Sequence, residues 1–152
     1  NGNENACTPE MFVRYAQIAA LMPVMQFSAS PWRVLPEADF QKVKDALALR
    51  EKCLPEILKA VECAKVTGEP IVRSMEFVFP GQGMERVMDQ FMVGEDLLVA
   101  PVWKQGEVAR SVRLPEGQWR CVGLGETEGD VLNGGRDVVL GENDGLVVLR
   151  RE

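Results

Sequence analysis

The sequence predicts an α/β segment followed by an all-β region, and two observations carry that prediction. Before residue 68 most apolar residues recur at helical spacing, interrupted by one short apolar run at residues 22–28. After residue 70 the chain consists of short apolar runs separated by glycine, asparagine and proline. We therefore expect two regions, residues 1–69 and residues 70–152.

The first helix is predicted to begin at Thr8-Pro9-Glu10. A threonine hydroxyl can cap the helix, proline suits the first helical position, and an acid in the first turn complements the helix dipole. Apolar residues then recur every three or four positions as far as Ala20, so the helix is expected to end near that residue.

Residues 22–28 are predicted to form a strand that is buried on both faces. Its apolar residues are Met22, Val24, Met25 and Phe27. Pro23 stands at the start of the run, where a strand tolerates a missing N–H group. Gln26 and Ser28 would then lie at the rim of a sheet or barrel, where α/β proteins build their sites. The alternative is that these two residues only terminate the strand.

A second helical region is predicted over Glu37–Thr67. Its apolar stripe consists of Phe40, Val43, Leu47, Leu54, Ile57, Leu58 and Val61. Pro55 removes one helical hydrogen bond, so a kink or a split into two helices is expected there. Gly68 and Pro70 provide the stop.

The spacing of short apolar runs in the rest of the chain predicts a sandwich or small barrel of antiparallel strands. The predicted strands are residues 71–79, 91–93, 97–100, 108–114, 119–122, 138–140 and 146–149. Turns are expected at residues 80–83 and 94–96, and Gly134-Gly135 is predicted to be a hairpin turn.

Composition narrows the classes of function. The net charge of −6 disfavours nucleic acid and anionic membranes as partners, because both require a basic patch. The absence of histidine excludes a Ser-His-Asp or Cys-His catalytic system and a histidine-ligated metal within this chain. The four cysteines, Cys7, Cys53, Cys63 and Cys121, show no metal-binding spacing and are predicted to be buried free thiols. No cofactor is expected.

Six sequence blocks occur in an order that is similar to glycoside hydrolase family 31. They are FVRYAQ at 12–17, LMPVMQ at 21–26, LREKCLP at 49–55, GEPIVR at 68–73, DQFMVGEDLLVAPV at 89–102 and LPEGQW at 114–119. The resemblance implies that residues 1–69 are the last part of a (β/α)₈ barrel. It implies that residues 70–152 begin the C-terminal β-sandwich region.

The same resemblance implies a retaining α-glycosidase acting on terminal α-linked glucose or galactose. Such enzymes use one carboxylate as nucleophile and a second as acid and then base. In the family both are aspartates upstream of this segment, and no residue here matches either of them. The chain opens without methionine, so we expect it to belong to a longer parent protein. Its partners are then the rest of that parent and a carbohydrate substrate, and the segment alone is expected to be inactive.

The resemblance also suggests four substrate-binding residues. The family usually has arginine and histidine at the end of the last barrel strand, where this chain has Gln26 and Ser28. Asn3 stands where many members have a pocket aromatic, and Trp32 could stack on a sugar ring. These departures suggest an altered sugar pocket, as in an α-galactosidase-like branch of the family. The alternatives are that Asn3 is a turn former and that Trp32 packs its own loop.

Two other functions fit the sequence. The β-rich half could be a carbohydrate-binding or structural module without chemistry, with Trp103 and Trp119 as its stacking platforms. The chain could also come from a degenerate homologue that has lost catalysis, to which Gln26 and Ser28 give slight support.

Overall fold

The computed structural model describes residues 7–123, 127–141 and 146–152. The helices are α1 (Pro9–Ala20), α2 (Pro31–Val34), α3 (Glu37–Thr67) and α4 (Met75–Val78). The strands are β1 (Val72–Ser74), β2 (Phe91–Val93), β3 (Leu97–Pro101), β4 (Arg110–Leu114), β5 (Gln118–Cys121), β6 (Val131–Asn133), β7 (Arg136–Leu140) and β8 (Leu146–Arg151). No helix in these ranges has the length and apolar composition needed to cross a membrane.

The predicted start of the first helix is confirmed. Thr8 is the N-cap of α1, and its hydroxyl oxygen accepts a hydrogen bond of 3.2 Å from the Met11 N–H. The helix ends at Ala20, after which the Leu21 N–H donates to the carbonyl of Ile18 at 3.1 Å. The capping hydroxyl and the proline that follows it are enough to fix this helix terminus.

Helix α3 is continuous, so the predicted split at Pro55 is wrong. Cys53 and Ile57, on either side of the proline, are both buried in one core. Burial of neighbouring turns offsets the cost of one lost backbone hydrogen bond, which is about 3 kcal/mol for an interior proline. Gly68 then ends the helix in the left-handed conformation, with φ of 78°.

The buried face of α3 shares only Val43 and Ile57 with the predicted stripe. The helix buries Val43, Ala46, Leu49, Cys53, Ile57 and Ala60. Leu47, Leu54 and Leu58 are exposed, although the prediction placed them in the core. Ala46 and Ala60 pack in the same core as Leu49. Three other leucines form a second apolar stripe on the outside of the helix. We call Leu47, Leu54 and Leu58 the outer leucine stripe.

In the described ranges eight antiparallel strands form two sheets, which confirms the antiparallel prediction. One sheet has the order β1-β2-β3-β8-β5-β6, and β4 pairs with β7 in the other. All five residues of β3 are buried. Leu97 and Val99 pack with α3 on one side, and Leu98 and Ala100 pack with residues of β4 on the other. The six-stranded sheet is thus the middle layer, and the sandwich core lies between the two sheets.

The structure contradicts the predicted strand at residues 22–28. These residues form bends and an irregular segment, and no strand of the described part of the chain pairs with them. Val24 is 82% exposed, whereas the prediction had it buried. A strand is stabilised by its ladder partners, and apolar sequence alone does not supply them. All strand pairs in the described ranges are antiparallel, so the parallel barrel is not seen here.

Three expectations in the β-rich region also need correction. The strand predicted at 71–79 ends at Ser74, whose hydroxyl caps α4 by accepting from the Phe77 N–H at 3.3 Å. Strand β6 was missed. Gly134-Gly135 is not a hairpin turn, because it carries the chain from β6 in one sheet to β7 in the other. Trp119 cannot be a stacking platform, because its side chain is fully buried.

The cysteine prediction holds for two of the four thiols. No disulfide joins the described cysteines; Cys53 and Cys121 are buried, Cys7 is exposed and Cys63 is half-buried. Burial, followed by the nearby Glu56 carboxylate, raises the pKa of Cys53 to about 11. Burial also raises the pKa of Cys121.

Native thiol labelling at neutral pH is therefore expected to modify Cys7 and Cys63 and to spare Cys53 and Cys121. The thiolate is the reactive form, and a thiol with a pKa near 11 is almost entirely protonated at pH 7. Peptide mapping by mass spectrometry after iodoacetamide treatment measures this, with unfolded protein as the control that labels all four. Fast modification of Cys53 in the folded protein would contradict the packing described above.

Candidate functional site

A cavity of about 440 Å³ lies between the first half of α1 and the segment that leads into α2. It is lined by Cys7, Pro9, Phe12, Tyr15, Gln26, Phe27, Ser28, Ala29, Val34 and Leu35. The structure thus brings together two of the four predicted substrate-binding residues, Gln26 and Ser28. We call this space the α1 cavity.

Residues 25–27 have no helix or strand, and exposed and half-buried residues alternate from Val24 to Ser28. Gln26 and Ser28 occupy exposed positions of this segment. Met25 and Phe27 are half-buried and pack on a small core that includes Val13, and Phe27 also lines the cavity. The rings of Phe12 and Phe27 stack with centroids 6.0 Å apart and planes 4° from parallel, which holds the segment against α1.

Arg50 anchors the beginning of the same segment. From α3 its guanidinium donates to the carbonyl oxygens of Ala20 and Met22, each at 2.6 Å, and to that of Pro23 at 3.2 Å. Ala20 is the last residue of α1, and Met22 and Pro23 follow it. Carbonyl groups at a helix C-terminus have no hydrogen-bond donor within the helix. Arg50 therefore fixes the turn from which Gln26 and Ser28 extend. The sequence pointed to this arginine only as part of the 49–55 block.

The other two predicted site residues are not placed in the cavity. Trp32 lies on α2, is 67% exposed and is not one of the lining residues. Asn3 falls outside the described residues. Sugar contact by Trp32 and Asn3 therefore stays a prediction.

The α1 cavity offers neutral groups only. Its lining residues include the Gln26 amide and the Ser28 and Tyr15 hydroxyls, and none of them is an aspartate or glutamate. Within the described residues no cluster of three or more histidine, cysteine or acidic side chains is placed to hold a metal. The cavity can donate and accept hydrogen bonds to a neutral polar ligand, but it lacks the carboxylate pair that glycoside hydrolysis requires.

Two contacts tie α1 to the loop between β3 and β4. The Gly106 N–H donates to the Glu10 carboxylate at 2.8 Å, and Arg14 donates to the Glu107 carbonyl at 2.5 Å. Glu10 and Arg14 also face each other at 3.5 Å. The helix that lines the cavity is therefore fixed to the β-rich region as well as to α3.

Comparison with known proteins identifies relatives along most of the chain. The family profile described as the glycosyl hydrolase family 31 C-terminal domain matches residues 68–140. Myogenesis-regulating glycosidase of Mus musculus is 39% identical over 112 residues, covering 73% of this chain and 16% of the relative. An alpha-glucosidase of Saccharolobus solfataricus is 30% identical over 148 residues, covering 93% of this chain and 20% of the relative.

A solved structure of the same family is also similar to most of this chain. A GH31 alpha-xylosidase from a soil metagenome, complexed with xylose, superimposes with a TM-score of 0.82 at 27% identity. The match covers 97% of this chain and 25% of that one. The chain therefore spans a quarter or less of the length of these relatives.

Proposed function

Since the chain belongs to glycoside hydrolase family 31, we propose that it is the C-terminal portion of a retaining α-glycoside hydrolase. The parent hydrolyses terminal α-linked glucose or galactose. The observation that carries this proposal is the α1 cavity, where Gln26 and Ser28 present neutral hydrogen-bonding groups on an exposed edge. A sugar hydroxyl is the natural partner of such groups.

In this proposal the 152-residue segment helps to bind the sugar, and the rest of the parent supplies the groups that hydrolyse it. Retaining hydrolysis needs a nucleophilic carboxylate and an acid/base carboxylate about 5 Å apart. The cavity lining holds neither of them, and the family resemblance implies that both lie upstream of this segment. Gln26 and Ser28 hold sugar hydroxyls, Arg50 holds their segment, and Asn3 and Trp32 remain predicted sugar contacts.

We also propose that residues 1–69 end a barrel and residues 70–152 form the sandwich. The outer leucine stripe supports this division, because three leucines on one helix face stay exposed in the described structure. Exposed Val24 adds to the same argument. Contiguous apolar surface of this kind marks a contact with further protein, which here is the remainder of the barrel.

The proposal is tested on the longer parent protein with aryl α-glucosides and aryl α-galactosides. We expect hydrolysis of at least one of the two, with retention of anomeric configuration followed by NMR. A folded parent that hydrolyses neither substrate would contradict the proposal and favour the degenerate homologue.

Replacing Gln26 by alanine in the parent is expected to lower kcat/KM by about tenfold, the cost of one lost hydrogen bond to bound substrate. Gln41→Ala is the matched control, because Gln41 lies on the exposed side of α3 and donates to its neighbour Asp45 at 2.8 Å. The control should keep normal kinetics. If Gln26→Ala had the same kcat/KM as Gln41→Ala, Gln26 would not be a substrate-binding residue.

Arg50→Met is expected to lower kcat/KM further, by about 100-fold, because a small displacement of site residues has effects of that size. It removes the three hydrogen bonds to the turn at residues 20–23. Arg50→Lys restores one donor and should recover part of the activity without changing the pH profile. If Arg50→Met keeps full activity while the fold is intact, the anchoring role is wrong.

A further inference from the structure

A second concave surface lies on the β-rich region, away from the α1 cavity. It is a groove of about 330 Å³ beside the loop between β3 and β4. It is lined by Asp89, Pro101, Val102, Trp103, Lys104, Glu107, Ala109, Arg110 and Ser111. We call it the Trp103 groove. It shares no lining residue with the α1 cavity.

The floor of the Trp103 groove is a fixed guanidinium. The Arg110 side chain is 7% exposed and donates to the carbonyl oxygens of Asp89, Pro101 (2.9 Å) and Ser111 (3.2 Å). It also pairs with the Asp89 carboxylate at 2.5 Å. A floor held by so many bonds is ordered before a ligand arrives, which reduces the entropic cost of binding.

The wall of the groove is an exposed indole. Trp103 is 60% exposed, and the Lys104 ammonium lies 5.4 Å from the ring centroid. An indole combines a large apolar face with one polar N–H group, so it can pack on a ligand that is apolar on one face and polar at its rim. A pyranose ring has that character, with C–H groups on its faces and hydroxyls around its edge.

Charge in the groove favours a neutral ligand. Lys104 and Arg110 are balanced by Asp89 and Glu107, and Lys104 and Glu107 lie 3.3 Å apart. No unpaired positive charge is left for a phosphate or sulfate. The carboxylates and the Ser111 hydroxyl are instead suited to accept hydrogen bonds from hydroxyl groups.

The loop that carries Trp103 is also held in place. Its later residues Gly106 and Glu107 are the ones bonded to Glu10 and Arg14 of α1. The floor of the groove and the later part of the loop beside it are therefore both held by the fold. A pre-formed concave surface with an aromatic wall and convergent polar groups is the usual form of a small-molecule site.

We propose that the Trp103 groove is a non-catalytic binding site for neutral α-linked oligosaccharides, with the indole stacked on a sugar ring. Only the choice of α-linked sugars rests on the proposed function. The site would hold a glycan chain on the enzyme while its end reacts elsewhere.

The test is a titration of the 152-residue chain with maltotriose, followed by the indole N–H signals in ¹H–¹⁵N NMR spectra. The chain has three tryptophans, so each signal can be assigned by substitution. We expect the Trp103 signal to shift in a saturable way. The Trp119 signal should stay still, because that indole is buried and donates to the Pro115 carbonyl at 3.0 Å; it also reports that the fold is intact.

Calorimetry with the same sugar on two variants completes the test. Trp103→Ala should weaken binding by about tenfold or more, which corresponds to about 1.4 kcal/mol. Phe77→Ala, which removes an exposed aromatic outside the groove, should bind normally.

Two results would overturn the proposal: a Trp103 signal that does not move with maltotriose up to tens of millimolar, or unchanged affinity in Trp103→Ala. Neither measurement depends on hydrolysis. A failure here is therefore distinct from a failure of the proposed function, which would show as a parent protein without glycosidase activity.

Discussion

Trp119→Ala is expected to lower the free energy of unfolding by about 3–5 kcal/mol, the range for large aromatic residues removed from a core. Trp119 is fully buried between the two sheets. Its ring meets Phe79 edge-on, with centroids 5.8 Å apart, and its N–H donates to the Pro115 carbonyl at 3.0 Å. The substitution removes the largest side chain of this core and leaves that carbonyl with one partner fewer.

Trp103→Ala is the matched control, because it deletes the same side chain from an exposed position. It should change stability by less than about 0.5 kcal/mol, as is usual for surface positions. Urea unfolding monitored by circular dichroism measures both variants. Similar losses for the two tryptophans would mean that the sandwich core is not centred on Trp119.

Gly134→Ala is expected to cost about 3 kcal/mol, at the upper end for overpacking. A Cβ atom at this position would lie 1.8 Å from the Pro115 carbonyl oxygen and 3.1 Å from that of Gly117. Both obstacles are backbone atoms, so no side-chain rotation can relieve the clash. The Gly134 N–H also donates to the Gly117 carbonyl at 2.8 Å, and the required shift would break that bond.

Gly123→Ala is the control for this substitution. A Cβ at Gly123 would meet only the Leu146 carbonyl oxygen, at 3.7 Å, an ordinary contact distance. Thermal unfolding of the two variants should therefore differ clearly, with Gly123→Ala close to the parent sequence. A Gly134→Ala protein as stable as Gly123→Ala would show that the chain does not cross between the sheets as described.

Trp119→Ala and Gly134→Ala both affect the Pro115 carbonyl group. The Pro115 carbonyl accepts from the Trp119 indole at 3.0 Å and from the Gly135 N–H at 3.2 Å. Displacing it through Gly134 also weakens the indole hydrogen bond. The double variant Trp119→Ala/Gly134→Ala should therefore lose less stability than the sum of the single losses, as residues with a common partner do.

Local signals predicted much of the fold. The Thr8 cap and the Gly68 stop each depend on a few adjacent residues, so the bounds of α1 and α3 could be predicted. The glycine turn between β2 and β3 could be predicted for the same reason. Ser74 carried a local signal as well, but the apolar residues around it favoured a strand and hid the cap of α4.

Features that depend on distant partners could not be predicted. Residues 24–28 alternate between exposed and half-buried positions as a strand would, yet only hydrogen-bonded neighbours would make them a strand. The buried face of α3 is set by its packing on the sheet, which takes Ala46 and Leu49 and leaves Leu47 outside. Trp119 is buried because it packs between the two sheets, and nothing local to it distinguishes it from the exposed Trp103. For the α1 cavity, Gln26 and Ser28 were predicted, but Arg50 was not, because its partners lie about 30 residues away.

We propose that this chain supplies binding groups to a sugar cleft and that the reacting carboxylates lie elsewhere in the parent. The most direct measurement is the rate of aryl α-glycoside hydrolysis by the purified, folded 152-residue chain, run beside the longer parent. We expect the parent to turn over substrate and the 152-residue chain to show no rate above buffer. Hydrolysis by the 152-residue chain alone would contradict the claim.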